Sequence, residues 1–239
     1  MPKVRHWLVI PLTLFTGAVI IGLVAAHTSA TRSTELAWDA HIQELRTGWL
    51  NRVMLDLADA AAPVAGLVIL ALITMYFLWR GNPVQAVATF LVIAVGWNSS
   101  QIAKLIVARH RPPTVYSLAP ETGSNSYPSG HVAFAVSLAI AVCMLAAGTR
   151  WFRLTVALGT LWTLLIAFSR LYIGAHYPLD VLGSVLVSVA AIVLLTGLWH
   201  GWIAGNLWRV PLLARFGPVP GPVAVAETAS VGSGAPRSN

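Results

Sequence analysis

Apolar residues run along this chain in blocks, with the polar residues gathered between them. A helical crossing of a hydrocarbon core takes roughly 20 apolar residues. Six blocks approach that length: Trp7–Ala26, Ala62–Trp79, Val84–Val107, His131–Gly148, Phe152–Phe168 and Leu179–Trp199. A different period runs between the first two. There Trp38, Ile42, Leu45, Trp49 and Val53 recur at helical spacing, interleaved with Asp39, His41, Glu44, Arg46 and Arg52. This pattern predicts an amphipathic helix lying on the membrane surface. Its apolar stripe either packs on the bundle or borders a gate by which a lipid enters. The predicted fold is all-α, a polytopic membrane protein built as a six-transmembrane helix bundle with an extracytoplasmic amphipathic helical segment.

Composition agrees with this reading: of 239 residues only 10% are charged, and the mean hydropathy is +0.74. Cys143 is the sole cysteine, so neither an internal disulfide nor a cysteine metal cluster is available. Lys3 and Arg5 precede the first block, and Thr28-Ser29-Ala30 resembles a cleavage site. The block is longer than a signal core, however, and is read as a retained anchor. The bundle is expected over residues 1–215. The Pro/Gly/Ala/Ser-rich segment 216–239 is expected to be a disordered cytoplasmic tail.

Six crossings put both ends of the chain on one side. With that side cytoplasmic, it carries eight basic residues against Glu227 alone, and the other side carries seven basic against seven acidic residues. The positive-inside rule therefore favours cytoplasmic termini in the cell membrane. Trp7, Trp79, Trp151, Trp199 and Trp202 fall at the cytoplasmic ends of the blocks, as an aromatic belt would.

Three polar constellations lie at the opposite ends. Lys104 and Arg111 are seven positions apart, nearly two helical turns, which predicts two cations on one face about 10 Å apart along the axis. Pro112-Pro113 ends that helix. Two cations aimed at one point suit an anion with several oxygens, such as phosphate. The alternative is snorkelling to lipid headgroups, which suits Arg109 and Arg111 better than the deeper Lys104. The second constellation is Asn125-Ser126-Tyr127-Pro128-Ser129-Gly130-His131, running straight into an apolar block. Ser129 is a candidate N-cap, Gly130 permits close approach of backbone N–H groups to an anion, and His131 stands at the helix mouth. The third is Ser169-Arg170…His176…Asp180, with Pro178 in the first turn of the following helix. From that turn Asp180 can reach back to one imidazole nitrogen of His176 and leave the other free as a nucleophile or base. On this stretch alone, an acidic residue complementing a helix N-terminus beside an interfacial histidine fits equally well.

Together, Lys104…Arg111-Pro112, Pro128-Ser129-Gly130-His131 and Ser169-Arg170…His176…Asp180 resemble the three signature motifs of the type 2 phosphatidic acid phosphatase (PAP2) superfamily, in its integral-membrane bacterial branch. Every signature position is filled. The resemblance implies that His176 is a nucleophile forming a phosphohistidine, that Asp180 orients it, and that His131 protonates the leaving oxygen and then activates water. It implies that Lys104, Arg111, Ser129, Gly130 and Arg170 hold the phosphate. It further implies hydrolysis without metal or cofactor of a lipid phosphate drawn from the bilayer, with no nucleic acid as partner and the oligomeric state left open. The preferred substrate is a polyprenyl diphosphate such as undecaprenyl or decaprenyl diphosphate, with phosphatidylglycerophosphate or phosphatidate as the alternative. Rival classes are a non-enzymatic transporter or channel, a catalytically dead scaffold of the same fold, and a vanadate haloperoxidase. The polar run Trp97-Asn98-Ser99-Ser100-Gln101 is the one feature a transporter would share, but it leads towards Lys104, as if supporting the same site.

Overall fold

A computed structural model describes residues 1–121 and 123–221. Helices form along each apolar block: α1 Val9–His27, α4 Pro63–Trp79, α5 Pro83–Val107, α6 Gly130–Ala146, α7 Phe152–Ile173 and α8 Pro178–Leu198. Between α1 and α4 lie two more, α2 Ser29–Gln43 and α3 Gly48–Ala60. No β-strand occurs among the described residues. Among the described residues four helices are long and apolar enough to cross a membrane: α1, α5, α7 and α8 with its continuation to Arg209. The pair α3 and α4, bent by 52°, makes a fifth if taken as one span, and α6 is a shorter apolar helix. The bend follows from Pro63, which drives Ala62 into extended backbone and ends α3. From residue 222 on, the expected tail lies outside the described residues.

Two expectations need correction. The amphipathic segment is two helices, because Thr47 adopts extended backbone (φ −137°, ψ 158°) and interrupts the helical ladder. Its apolar stripe faces outward: Trp38 and Trp49 are 64% and 67% exposed. Glu35 and Asp39 are the buried residues of α2. Trp199 also leaves the expected aromatic belt and is buried in the bundle, whereas Trp79, Trp151 and Trp202 are exposed.

The core lies between α5, α6, α7 and α8, where Val92, Ile93, Phe134, Ile166 and Ile192 cluster and the Trp97 ring tilts on Phe134 at 5.0 Å. α8 packs on α1, α5 and α6, and α3 rests on α7. The Tyr127 ring is wedged between α1 and α8, fully buried, its hydroxyl donating to the Ala18 carbonyl. A Cβ at Gly22 would approach the ring to 2.6 Å, and one at Gly183 would collide with its hydroxyl end. Only glycine leaves room on both helices for this ring, which anchors the segment leading to Ser129 and Gly130. Gly183→Ala is expected to lower stability by about 1–3 kcal/mol through overpacking and to reduce activity by shifting that segment. Gly17→Ala, where a Cβ meets nothing within 4 Å, is expected to be neutral. Thermal unfolding in detergent tests the contrast.

Candidate active site

Four helix ends meet around one polar cavity of about 370 Å³. α5 delivers Lys104 in its last turn and stops at Ala108, which takes a left-handed conformation (φ 48°). Arg109 and Arg111 therefore lie beyond the helix, and the expected shared face of Lys104 and Arg111 is not formed. The two nevertheless line the same cavity, brought together by the loop rather than by helical period. The Lys104 ammonium donates to the Asn125 carbonyl at 2.9 Å, and the Ser126 N–H donates to the Arg109 carbonyl at 2.7 Å, closing the loop on itself.

α7 brings Arg170 in its last turn and ends at Gly174, whose φ of +80° turns the chain towards His176. A side chain at Gly174 would be strained by that backbone and would also press on the Tyr116 carbonyl at 2.6 Å. Pro178 then starts α8, and Asp180 accepts the Tyr177 N–H at 3.0 Å. Ser129 occupies the N-cap position of α6, but its hydroxyl makes no cap bond. That hydroxyl, like Arg170 Nε, is buried without a partner among the described residues. The Ser184 hydroxyl, bonded to the carbonyls of Ser129 (2.9 Å) and Asp180 (2.7 Å), locks the start of α6 to that of α8.

His176 is buried between these elements. Its Nδ1 lies 3.4 Å from Asp180 Oδ2, close but not aligned as a hydrogen bond, and Arg111 stands 3.1 Å from its Nε2. Burial, reinforced by the Arg111 and Arg170 charges, holds the imidazole well below its ordinary pKa. Its Nε2 faces the Arg111 guanidinium. Arg111 also donates to the carbonyls of Gly123 (2.6 Å) and Ala175 (2.9 Å). His131, Arg111, His176, Lys104 and Gly130 all line the one cavity, with Trp97, Asn98 and Gln101 on the α5 side and Ala61, Pro63 and Leu67 forming an apolar rim. A larger hollow of about 810 Å³ elsewhere in the bundle has no acidic, basic or histidine side chain in its lining.

An internal anion occupies the cradle. The Glu121 carboxylate pairs with Arg111 at 2.6 Å and with Arg170, and stands 3.8 Å from His131 Nδ1. Burial opposes its charge, but Arg170 and Arg111 outweigh this and keep the carboxyl below its ordinary pKa. Glu121 sits in a loop with no periodicity, so no sequence signal marked it.

Behind Asp180 lies a second cluster that the sequence misassigned. Arg109, read as a candidate for snorkelling, is only 2% exposed. It donates to Asp180 Oδ1 at 2.7 Å, pairs with Glu35, and stacks over the Tyr177 ring at 4.0 Å. The Glu35 carboxylate also accepts the Leu179 N–H at 2.8 Å, so α2 is tied to the first turn of α8. Asp39, one turn along α2, is buried with neither oxygen bonded among the described residues. Burial, then the charges of Glu35 and Asp180, push its carboxyl up to about 8 against the pull of Arg109.

Residues 84–203, half of the chain, match the family model of the PAP2 superfamily. The undecaprenyl-diphosphatase of Sulfolobus acidocaldarius is 29% identical over 192 residues, covering 78% of this chain and 87% of that protein. Phosphatidylglycerophosphatase B of Bacillus subtilis is 25% identical over 195 residues, covering 78% and 93%. The crystal structure of a transmembrane PAP2 type phosphatidylglycerolphosphate phosphatase from Bacillus subtilis superposes with a TM-score of 0.69 over 80% of this chain and 96% of that one, at 24% identity.

Two outcomes follow from the buried carboxyls. Glu121→Gln keeps the shape and removes the competing charge. Inhibition by orthovanadate, a phosphate mimic, is expected to tighten about tenfold, the scale of one hydrogen bond to a charged group; unchanged or weaker inhibition would exclude the competition. Asp39 has its folded pKa raised, so the folded state holds the proton more tightly, and the resulting stabilisation is lost as pH rises towards about 8. Relative to Asp39→Asn, which does not titrate there, the wild type is expected to lose thermal stability as pH rises from about 5 to about 8, with no further divergence above.

Proposed function

The chain belongs to the PAP2 superfamily and is a metal-independent lipid phosphatase, and we propose that it works through a phosphohistidine formed on His176. The observation that carries this reading is the convergence of Arg111, Arg170 and His131 on a single carboxylate oxyanion beside His176. Substrate phosphate takes the place of that carboxylate. His176 Nε2 then attacks phosphorus in line as the P–O bond to the lipid breaks. His131 gives its proton to the departing oxygen, and Asp180 stabilises the positive charge that forms on the imidazole. In the second half-reaction His131 takes a proton from water, which attacks the phosphohistidine and releases phosphate. Lys104, Arg111, Arg170, the Ser129 hydroxyl and the Gly130 N–H neutralise the equatorial oxygens. Phosphoryl transfer depends mainly on such positioning and neutralisation.

In this reading α1, α4, α5, α6, α7 and α8 each cross the plasma membrane, with the termini cytoplasmic and the cavity extracytoplasmic. The excess of basic residues on the terminal side supports that orientation. α2 and α3 lie at the outer surface with Trp38 and Trp49 turned to lipid. The apolar rim of Ala61, Pro63 and Leu67 suits a substrate whose headgroup reaches the cations while its tail stays in the bilayer. The substrate is a polyprenyl diphosphate, favoured by an outward-facing site and by the relative named undecaprenyl-diphosphatase. Phosphatidylglycerophosphate is the second reading, favoured by the relative of that name.

Phosphate release from defined lipids with EDTA present tests the proposal. Polyprenyl diphosphate is expected to turn over fastest, His176→Ala to leave almost no activity, and Arg111→Ala or Arg170→Ala each to cost on the order of 3 kcal/mol in the transition state. A large residual rate in His176→Ala would reject the nucleophile.

A further inference from the structure

Arg109 touches neither the cavity nor any group assigned to the phosphate, yet it is bound directly to Asp180. It is shared. One guanidinium serves two carboxylates, Asp180 of α8 and Glu35 of α2, and both are buried. The third carboxyl of the cluster, Asp39, makes no bond to the guanidinium, so the two carboxylates paired with Arg109 set two negative charges against one positive charge. One unit of negative charge is left over behind His176.

That surplus is placed where the reaction uses it. In the proposed mechanism His176 gains positive charge when Nε2 bonds to phosphorus, and Asp180 is the carboxylate on its other side, 3.4 Å from Nδ1. The two partners of Arg109 have complementary effects. Without Arg109, two buried carboxylates side by side would share a proton, and Asp180 would lose its charge. Without the charge of Glu35, Arg109 would pair with Asp180 one-to-one and cancel the field that the imidazolium needs.

We propose that Glu35 and Arg109 are positioning residues of the reaction, acting through Asp180: Arg109 aims and ionises it, and Glu35 draws off enough of the guanidinium charge to leave Asp180 effective towards His176. The proposal rests on the reading of His176 as nucleophile and Asp180 as its partner. It makes α2, a helix on the rim of the bundle, part of the catalytic apparatus. The tie is mechanical as well as electrostatic, since Glu35 also accepts the Leu179 N–H at the start of α8.

The test is a double-mutant cycle in detergent-purified full-length protein, with kcat, KM and thermal midpoint measured for Glu35→Gln, Asp180→Asn and the pair. Glu35→Gln is expected to lower kcat about tenfold with KM within about twofold of wild type, and the pair is expected to be no slower than Asp180→Asn alone. Arg109→Lys, which keeps the charge but reaches only one carboxylate, is expected to show the same loss in kcat and the same non-additivity, and it stands in if Glu35→Gln does not fold. A wild-type kcat in these variants, or losses that multiply with Asp180→Asn, would overturn the proposal and leave the nucleophile assignment intact. A wild-type rate in Asp180→Asn itself would instead overturn the histidine–aspartate reading on which the proposal rests.

Discussion

Burying cations at the ends of apolar helices sets the terms for everything else in this protein. A guanidinium removed from water costs several kcal/mol unless an anion and hydrogen bonds replace its hydration. The chain meets that cost in two ways. Arg109 is compensated from within the protein, by Glu35 and Asp180. Arg111 and Arg170 are compensated by Glu121, a carboxylate on a loop rather than on a helix. Counting Lys104, three formal positive charges face one negative charge around the cavity, leaving a surplus of two. In the proposed mechanism substrate phosphate replaces the Glu121 carboxylate and meets the same cations.

The backbone supports this division of labour. α5 and α7 end at the site and place Lys104 and Arg170 in their last turns, where cations are favoured by the helix dipole. α6 and α8 begin there and point N–H groups and the positive ends of their dipoles the same way. The two helix N-termini, with the cations that α5 and α7 carry in their last turns, thus converge a positive potential on one point. Ser184 holds two of them in register, and the Tyr127 ring holds α8 against α1. Helix termini place Lys104, Arg170 and His131, while Arg111 and Glu121 come from the loop.

Much of this was legible in the sequence. The apolar blocks gave the helices, and the spacings of Lys104, Arg111, Ser129, Gly130, His131, Arg170, His176 and Asp180 gave a set of residues that the fold gathers at one end of the bundle. What the sequence misread shares a physical origin. Periodicity shows that a helix has two faces, but not which solvent each one meets. In water the aromatic face of residues 38–53 would turn inward. Here it is exposed, and the acidic face carrying Glu35 and Asp39 is the buried one. Arg109 was misread for a related reason: a basic residue near a helix end suggests a headgroup until the left-handed turn at Ala108 swings it into the protein. Glu121 had no pattern to betray it, because its partners lie 10 and 49 residues away in sequence.

The inverted helix carries the larger lesson for function. A surface helix whose polar face is used up inside the protein has only its apolar face left for its surroundings, so the same residues that tie α2 to Asp180 leave Trp38 exposed on the outside of the bundle. In the proposed orientation and mechanism, membrane contact and alignment of His176 are then two consequences of one amphipathic pattern. The chain links them through a single buried guanidinium, which replacing Glu35 or Asp180 with an apolar residue would leave short of a partner, at a cost of several kcal/mol. For a lipid phosphatase this arrangement means that the helix proposed to rest on lipid is also tied to the aspartate beside His176.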